Sequence, residues 1–285
     1  MKTTGWRRNL ALAQSESWRP PLFQAEQSAR TGLVASVRRF LDLQAGSVWN
    51  DLKPLLAQAT GTVVDVGCGA QPYRSLLPPE VCYIGIDSEE AAAHFGYRSP
   101  DTRYFTGSRW PVETGAADIV LCSETLEHVL DPHEFLLEAR RCLKPGGKLL
   151  LTVPFAARWH FIPHDYWRFT PSALNHLLER AAFCEVFVTA RGNAVTVACY
   201  KVMALIVARL LPQSGHGLSR LFQRLVGAAL APLLLVLAII ANLSLSCEGG
   251  DDCLGYTVLC SRGPEPQGEA PGSAFRPAVM GAAEP

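Results

Sequence analysis

Val63-Val64-Asp65-Val66-Gly67-Cys68-Gly69 is the stretch on which the fold turns. Its apolar residues, interrupted by one acid, read as a short buried strand. The Gly-x-Gly that ends it lets the backbone turn tightly and approach a ligand closely. Position 72 is proline, where a Gly-x-Gly-x-x-Gly phosphate turn would carry its third glycine. A proline there opposes a helix that begins at once and cradles a pyrophosphate, so the turn suits a ligand without phosphate. Asp65, just before the turn, places a carboxylate near a cationic ligand group. Asp87 follows a second apolar run, Tyr83–Ile86, where a carboxylate can accept both hydroxyls of a ribose.

Outward from the turn, further strands are expected at Ala117–Cys122, Lys148–Val153, Cys184–Ala190 and Tyr256–Cys260. Helices are expected at Pro132–Leu143 and Pro171–Ala182, the second with proline in its first turn. Strands alternating with helices imply parallel pairing through right-handed crossovers. Continuous apolar strands imply a sheet covered on both faces. The fold class is therefore α/β.

These runs resemble, in order and spacing, the motifs of the class I S-adenosylmethionine methyltransferases. Val63–Tyr73 resembles their first motif and Tyr83–Asp87 their second, acidic one. Ala117–Cys122 with Ser123-Glu124-Thr125-Leu126-Glu127-His128-Val129 resembles their fourth strand and its loop. Leu143-Lys144-Pro145-Gly146-Gly147-Lys148 resembles the turn before their fifth strand. The resemblance implies a Rossmann-like sheet of seven strands, parallel but for a final antiparallel pair, with S-adenosyl-L-methionine as cofactor. It places Asp65, Gly67, Cys68 and Gly69 at the methionine end, Asp87 at the ribose, Ser108-Arg109-Trp110 near the adenine, and Ser123 beside them.

The loop Glu124-x-x-Glu127-His128 brings two carboxylates and an imidazole within one helical turn, a spacing that suits a divalent metal. With the later Pro163-His164-Asp165-Tyr166-Trp167-Arg168-Phe169 segment it is similar to loops of ubiquinone-pathway O-methyltransferases. Small-RNA 2'-O-methyltransferases carry a related Glu, Glu, His, His set that holds magnesium. That likeness implies a metal set of Glu124, Glu127, His128 and His164. The competing reading is a metal-free loop in which His128 only shapes the pocket. His164 and His160 are also candidate general bases for a hydroxyl acceptor, with Asp165 orienting one of them.

The rest of the chain is apolar and charge-biased by region. Net charge is zero, from 26 basic and 26 acidic residues, so no bulk basicity points to nucleic acid. From Val186 to Cys247 there is no acidic residue, while Arg191, Lys201, Arg209, Arg220 and Arg224 are basic. Val226–Leu245 is almost wholly apolar and about long enough to cross a bilayer. Val195–Leu211 carries Lys201 in its middle, which makes a crossing there costly. An interfacial or re-entrant hairpin turning at Pro212–Gly217 is expected, with the catalytic domain on the cytoplasmic face of a membrane.

The expected organisation is a helical cap over residues 1–58, a cofactor-binding core over 59–193, a membrane-associating insertion over 194–250, the last core strand over 251–263, and a disordered tail over 264–285. The cap is expected to lie over the ligand mouth or cover a sheet edge. Its start carries Arg7, Arg8 and Arg19 without an apolar run long enough for a secretory signal. The nine cysteines include no Cys-x-x-Cys pair and read as reduced thiols. The function expected is O-methylation of a lipid, quinone-like or lipid-linked saccharide. The alternatives are a soluble small-molecule or RNA acceptor, or a non-catalytic module that keeps the fold.

Overall fold

The structure is a computed structural model that describes residues 33–96, 98–212, 217–247 and 249–263. Most of the basic N-terminal segment and the 264–285 tail therefore lie outside the described residues, as do positions 213–216 of the expected hairpin turn. The first helices are α1 (Leu33–Leu41) and α2 (Leu43–Leu56). The core follows as β1 (Thr62–Val66), β2 (Cys82–Ser88), α3 (Glu89–Phe95), β3 (Thr102–Phe105) and β4 (Ala117–Ser123). It continues with α4 (Pro132–Cys142), β5 (Leu143–Pro154), α5 (Pro171–Arg180) and β6 (Phe183–Arg191). The insertion contains α6 (Ala194–Leu210), α7 (Gly217–Ala229) and α8 (Ala231–Ser244), and β7 (Gly255–Arg262) ends the sheet.

The seven strands lie in the order β3-β2-β1-β4-β5-β7-β6. Strands β1 to β5 pair in parallel, and β7 pairs antiparallel with both β5 and β6. This is the class I methyltransferase-like arrangement that the motifs implied. Strand order reverses between β1 and β4, and an open parallel sheet binds ligands beyond the carboxyl ends of its strands at such a switch point. The Gly67–Gly69 turn sits there.

The pleat of β1 sends alternate side chains to opposite faces. Val64 and Val66 join the larger core, with Leu136, Ala139, Leu174 and Leu178 of α4 and α5. Val63 packs on the other face beneath Val48, Leu52 and Leu56 of α2. Thus α2 covers the centre of a sheet face and not a sheet edge. Its first turn continues into a third cluster, in which Leu43 meets Val197, Met203 and Ile206 of α6 and Leu234 and Ala238 of α8.

Helix starts follow their caps. The Asp131 carboxylate accepts from the His133 and Glu134 N–H groups at α4, and the Thr170 hydroxyl accepts from Ala173 N–H at α5. Asn193 and Thr196 form a reciprocal capping box that starts α6.

Two sequence expectations change. The Val226–Leu245 run is not one helix, because the chain breaks at Leu230 and α8 restarts with Pro232 in its first turn. No single described helix is long and apolar enough to cross a membrane; α7 and α8 meet the length and composition test only together, bent by 51°. Lys201, read as an obstacle to crossing, donates from Nζ to the Ala156 carbonyl at the start of the Phe155–Phe169 loop.

Candidate active site

Gly67 and Gly69 have φ of +69° and +51°, the left-handed region that favours glycine. A Cβ on Gly67 would stand 2.3 Å from Thr125 Oγ1, so the β4 loop is packed directly against the turn. The Gly67 and Cys68 N–H groups donate to Ile86 O at 2.9 and 3.2 Å, which ties the turn to the end of β2. One Asp87 oxygen accepts from Gly69 N at 3.0 Å and the other from Ser88 N at 2.8 Å. Both carboxylates beside the turn are desolvated. Burial pushes Asp65 up to about 7 despite the Tyr83 hydroxyl that donates to it, and burial also raises Asp87.

Three of the residues expected at the donor are engaged elsewhere. Cys68 is buried with Sγ 3.5 Å from Thr102 Oγ1, and burial raises its thiol, so only its backbone belongs to the turn. Trp110 does not present its indole to a ligand: it is 3% exposed and stacks edge-on against Phe135 at 5.0 Å. Its backbone N–H donates to Glu138 at 2.7 Å, fixing it in the core. Ser123 shares a hydrogen bond of 3.0 Å with Thr152 and so joins β4 to β5. Ser108 is exposed and lines a shallow cleft with Glu134, Leu137 and Arg141 of α4.

Beyond β4, the loop splits the expected metal set. Glu124, at φ +50°, turns its carboxylate to Arg191 Nη2 at 2.7 Å. Arg191 is buried and also donates to Val153 O at 2.9 Å and to Ser47 Oγ at 3.3 Å. His164 contributes its carbonyl to His128 Nδ1 at 2.9 Å, while its own Nδ1 lies 3.2 Å from the Tyr166 hydroxyl. The set Glu124, Glu127, His128 and His164 is therefore not assembled. The group that does converge is Glu127, His128 and His160, with ligand atoms within 4.8 Å of one another. One carboxylate and two imidazoles suit a transition ion and not magnesium, which prefers oxygen ligands. Magnesium does not fit these residues, and no step below is routed through it.

The same group is built for proton chemistry. His160 Nδ1 faces two acceptors, Arg158 O at 2.9 Å and Asp165 Oδ2 at 3.1 Å. Nδ1 must therefore carry the hydrogen, which leaves Nε2 as the basic atom. Arg168 grips Asp165 with bonds of 2.6 and 2.8 Å, and the His160 N–H donates to it at 3.0 Å. Burial works against the Asp165 charge, but Arg168 and His160 prevail and hold its carboxyl well below the usual range. Burial likewise opposes a charged His160, yet Asp165 raises it. Burial, with the neighbouring His160, pushes His128 down to about 4 despite the His164 carbonyl and Asp165. The His128 and His160 rings meet edge-on at 4.8 Å. His160 is thus the histidine whose ring is held by Asp165, whereas His164 Nδ1 meets the Tyr166 hydroxyl.

Glu127 is fully buried, 3.5 Å from His128 Nε2, and neither of its carboxyl oxygens has a hydrogen-bond partner. Burial, reinforced by Glu124, pushes its pKa well above the carboxylate range. In the window between the ordinary value and the raised one, the unfolded chain releases a proton that the folded chain keeps. Stability from this group is full below the ordinary carboxylate pKa and falls as pH rises through the raised value. Glu127→Gln, a neutral mimic of the protonated acid, is expected to keep the fold and flatten this loss in denaturant titrations across pH. An unchanged pH dependence would refute the protonated assignment.

Sequence reasoning missed Thr125 beneath Gly67, Arg191 behind Glu124, and His94. The last reaches from α3 to Phe161, ring centroids 4.6 Å apart, and helps seat the acceptor loop.

A family model described as a methyltransferase domain matches residues 38–188. The chain belongs to this methyltransferase family. The matched part of the methyltransferase domain ends before α6, so the insertion lies outside it. A probable S-adenosylmethionine-dependent methyltransferase of Mycolicibacterium smegmatis is 34% identical over 97 residues, 32% of this chain and 37% of that protein. The ubiquinone biosynthesis O-methyltransferase of Xanthomonas oryzae pv. oryzae is 34% identical over 108 residues, 33% of this chain and 44% of that protein. The chain thus spans less than half the length of these curated relatives. Among solved structures, a SAM-dependent methyltransferase from Archaeoglobus fulgidus aligns with a TM-score of 0.46 and 17% identity, over 75% of this chain and 91% of that one.

Proposed function

We propose that the protein transfers the methyl group of S-adenosyl-L-methionine to a hydroxyl of a lipid, quinone-like or lipid-linked saccharide acceptor at the cytoplasmic face of a membrane. The observation that carries this reading is the pair of carboxylates, Asp65 and Asp87, flanking the Gly67–Gly69 turn at the strand-order switch. The residues fit the donor. Asp65 matches its cationic amino acid end and Asp87 its ribose. Only a three-residue helical turn, Arg74–Leu76, follows the glycines, so no long helix is aimed there to hold a pyrophosphate.

When bound, the donor supplies a methyl carbon activated by its positive sulfur. The acceptor oxygen forms the new O–C bond as the S–C bond breaks, and the sulfur keeps the electron pair. His160 Nε2 takes the hydroxyl proton, and Asp165 compensates the imidazolium charge. Most of the rate is supplied by holding the two reactants in line. The apolar acceptor class is supported by Trp159, Tyr166 and Trp167, partly exposed on the loop that carries His160. It is also supported by the insertion, which leaves β6 and enters β7 at the carboxyl end of the parallel strands, the end of the sheet that carries the site. The test is turnover of methyl-labelled donor against lipid and aqueous cell extracts. Label is expected in the lipid fraction as a base-stable methyl ether. Label confined to water-soluble products would overturn the acceptor class, and no donor binding would overturn the enzyme reading.

A further inference from the structure

Helix α7 carries Leu218, Leu221, Phe222 and Leu225 at the i, i+3, i+4, i+7 spacing of a single helical face. These four side chains are 86%, 55%, 66% and 61% exposed. The helix is held to its neighbour by its other side, where Gly227 lets it approach the Leu210 backbone so closely that a Cβ would lie 2.8 Å away. Helix α8 also leaves large apolar side chains exposed, at Leu235, Val236, Ile239 and Leu243. Exposed apolar side chains in this number, at one-face spacing on α7, are not the scatter of single hydrophobic residues found on soluble surfaces.

The charges within the three described helices have one sign. Arg209 of α6 and Arg220 and Arg224 of α7 are exposed, and none of the three helices contains an acidic residue. Arg220 and Arg224 are four residues apart, on the polar side of the α7 stripe. An apolar stripe backed by arginines on the polar side of the same helix is complementary to a bilayer surface with anionic headgroups: leucine and phenylalanine enter the acyl boundary while the long guanidinium side chains reach phosphates. The 51° bend between α7 and α8 turns the pair away from a straight crossing, as a helix lying in the interface requires.

We infer that α7 and the outer face of α8 form a one-sided docking surface for an anionic lipid bilayer, with α7 lying in the headgroup plane. Helix α6, on which α7 packs, is tied to the acceptor side. Lys201 of α6 grips the Ala156 carbonyl, four residues before His160, and the Phe155 and Ala156 N–H groups both donate to Leu254 O, where the insertion returns. Docking would bring a membrane-dissolved hydroxyl to the His160 loop. The inference takes from the proposed function only the position of the acceptor side, and vesicle binding is read apart from turnover.

The test is sedimentation of the full chain with phosphatidylcholine vesicles, with and without phosphatidylglycerol. Binding is expected to need the anionic lipid and to weaken with salt. Arg220→Ala with Arg224→Ala should weaken it about thirtyfold, at about 1 kcal/mol for each arginine. Leu221→Glu with Phe222→Glu should abolish it while binding of S-adenosyl-L-methionine, which reports the folded core, is retained. Binding indifferent to both variants would overturn the inference. So would a dimer seen by analytical ultracentrifugation that the Leu221→Glu, Phe222→Glu variant dissolves without any vesicle binding by the parent, because the face would then belong to a second copy of the chain.

Discussion

Replacing His160 with alanine is expected to lower kcat by about a hundredfold to ten-thousandfold, the range that a positioned general base supplies. The affinity for S-adenosyl-L-methionine should be unchanged, because His160 lies on the acceptor loop and not on the glycine turn. The electrostatics add a pH signature. Asp165 raises the His160 pKa above its ordinary 6.5, and the base form exists only above the raised value. The ascending limb of the kcat profile should therefore lie on the alkaline side of an ordinary histidine. In the fold itself, the His160–Asp165 contact stabilises fully below the unfolded histidine pKa and is lost as pH rises through the folded one. Asp165→Asn should move the limb to lower pH and reduce the plateau, since the imidazolium formed in the reaction loses its compensating charge. His164→Ala should leave the limb in place. A His160→Ala enzyme with parental kcat would remove the base from the mechanism.

Asp87→Ala is expected to weaken binding of S-adenosyl-L-methionine by about a hundredfold or more. Hydrogen bonds to a charged group contribute about 1.5–3 kcal/mol each, and two ribose hydroxyls face this carboxylate in the proposed complex. A second loss adds to the first. The Gly69 and Ser88 N–H groups donate to Asp87 in the free protein, so the alanine variant also leaves these two groups without their acceptor, although the Gly67 and Cys68 bonds to Ile86 O remain. Isothermal titration calorimetry separates the two contributions when Asp87→Asn is measured beside it. The amide keeps one acceptor oxygen and loses the charge, so it should fall between parent and alanine. Parental affinity in Asp87→Ala would mean that the donor lies elsewhere.

Strands whose two faces are both buried announced themselves in the sequence. Strands β1, β4 and the second half of β5 are short apolar runs, and the structure extends them by a residue or two. The short strand β3 did not stand out. It is four residues long, Thr102-Arg103-Tyr104-Phe105, lies at a sheet edge, and keeps an exposed arginine, so its signal comes from pairing with β2 and not from its own pattern. The glycine turn and Asp87 were legible because both follow local rules, a Gly-x-Gly after a strand and an acid at a strand end. The acceptor side was not. Choosing between His160 and His164 depends on the path of the Phe155–Phe169 loop, and that path is fixed by contacts such as the Tyr166 N–H to Glu127 O bond of 2.9 Å. Glu124 looked like a metal ligand beside Glu127 because spacing alone cannot show Arg191, 67 residues later, reaching it through the core. Trp110 was placed near the adenine by the family resemblance alone, which could not show its indole buried against Phe135.

Strand β7 has a consequence for how the molecule is made. It occupies the slot between β5 and β6, yet it is the last of the described strands and follows the whole insertion. A growing polypeptide therefore presents the apolar helices α6 to α8 before it holds the strand that closes its sheet. Until Gly255–Arg262 emerges, the facing edges of β5 and β6 lack their backbone partners, and closing the slot joins segments about a hundred residues apart. During synthesis, the order of events sets greasy helices and open strand edges side by side, the combination most open to wrong association.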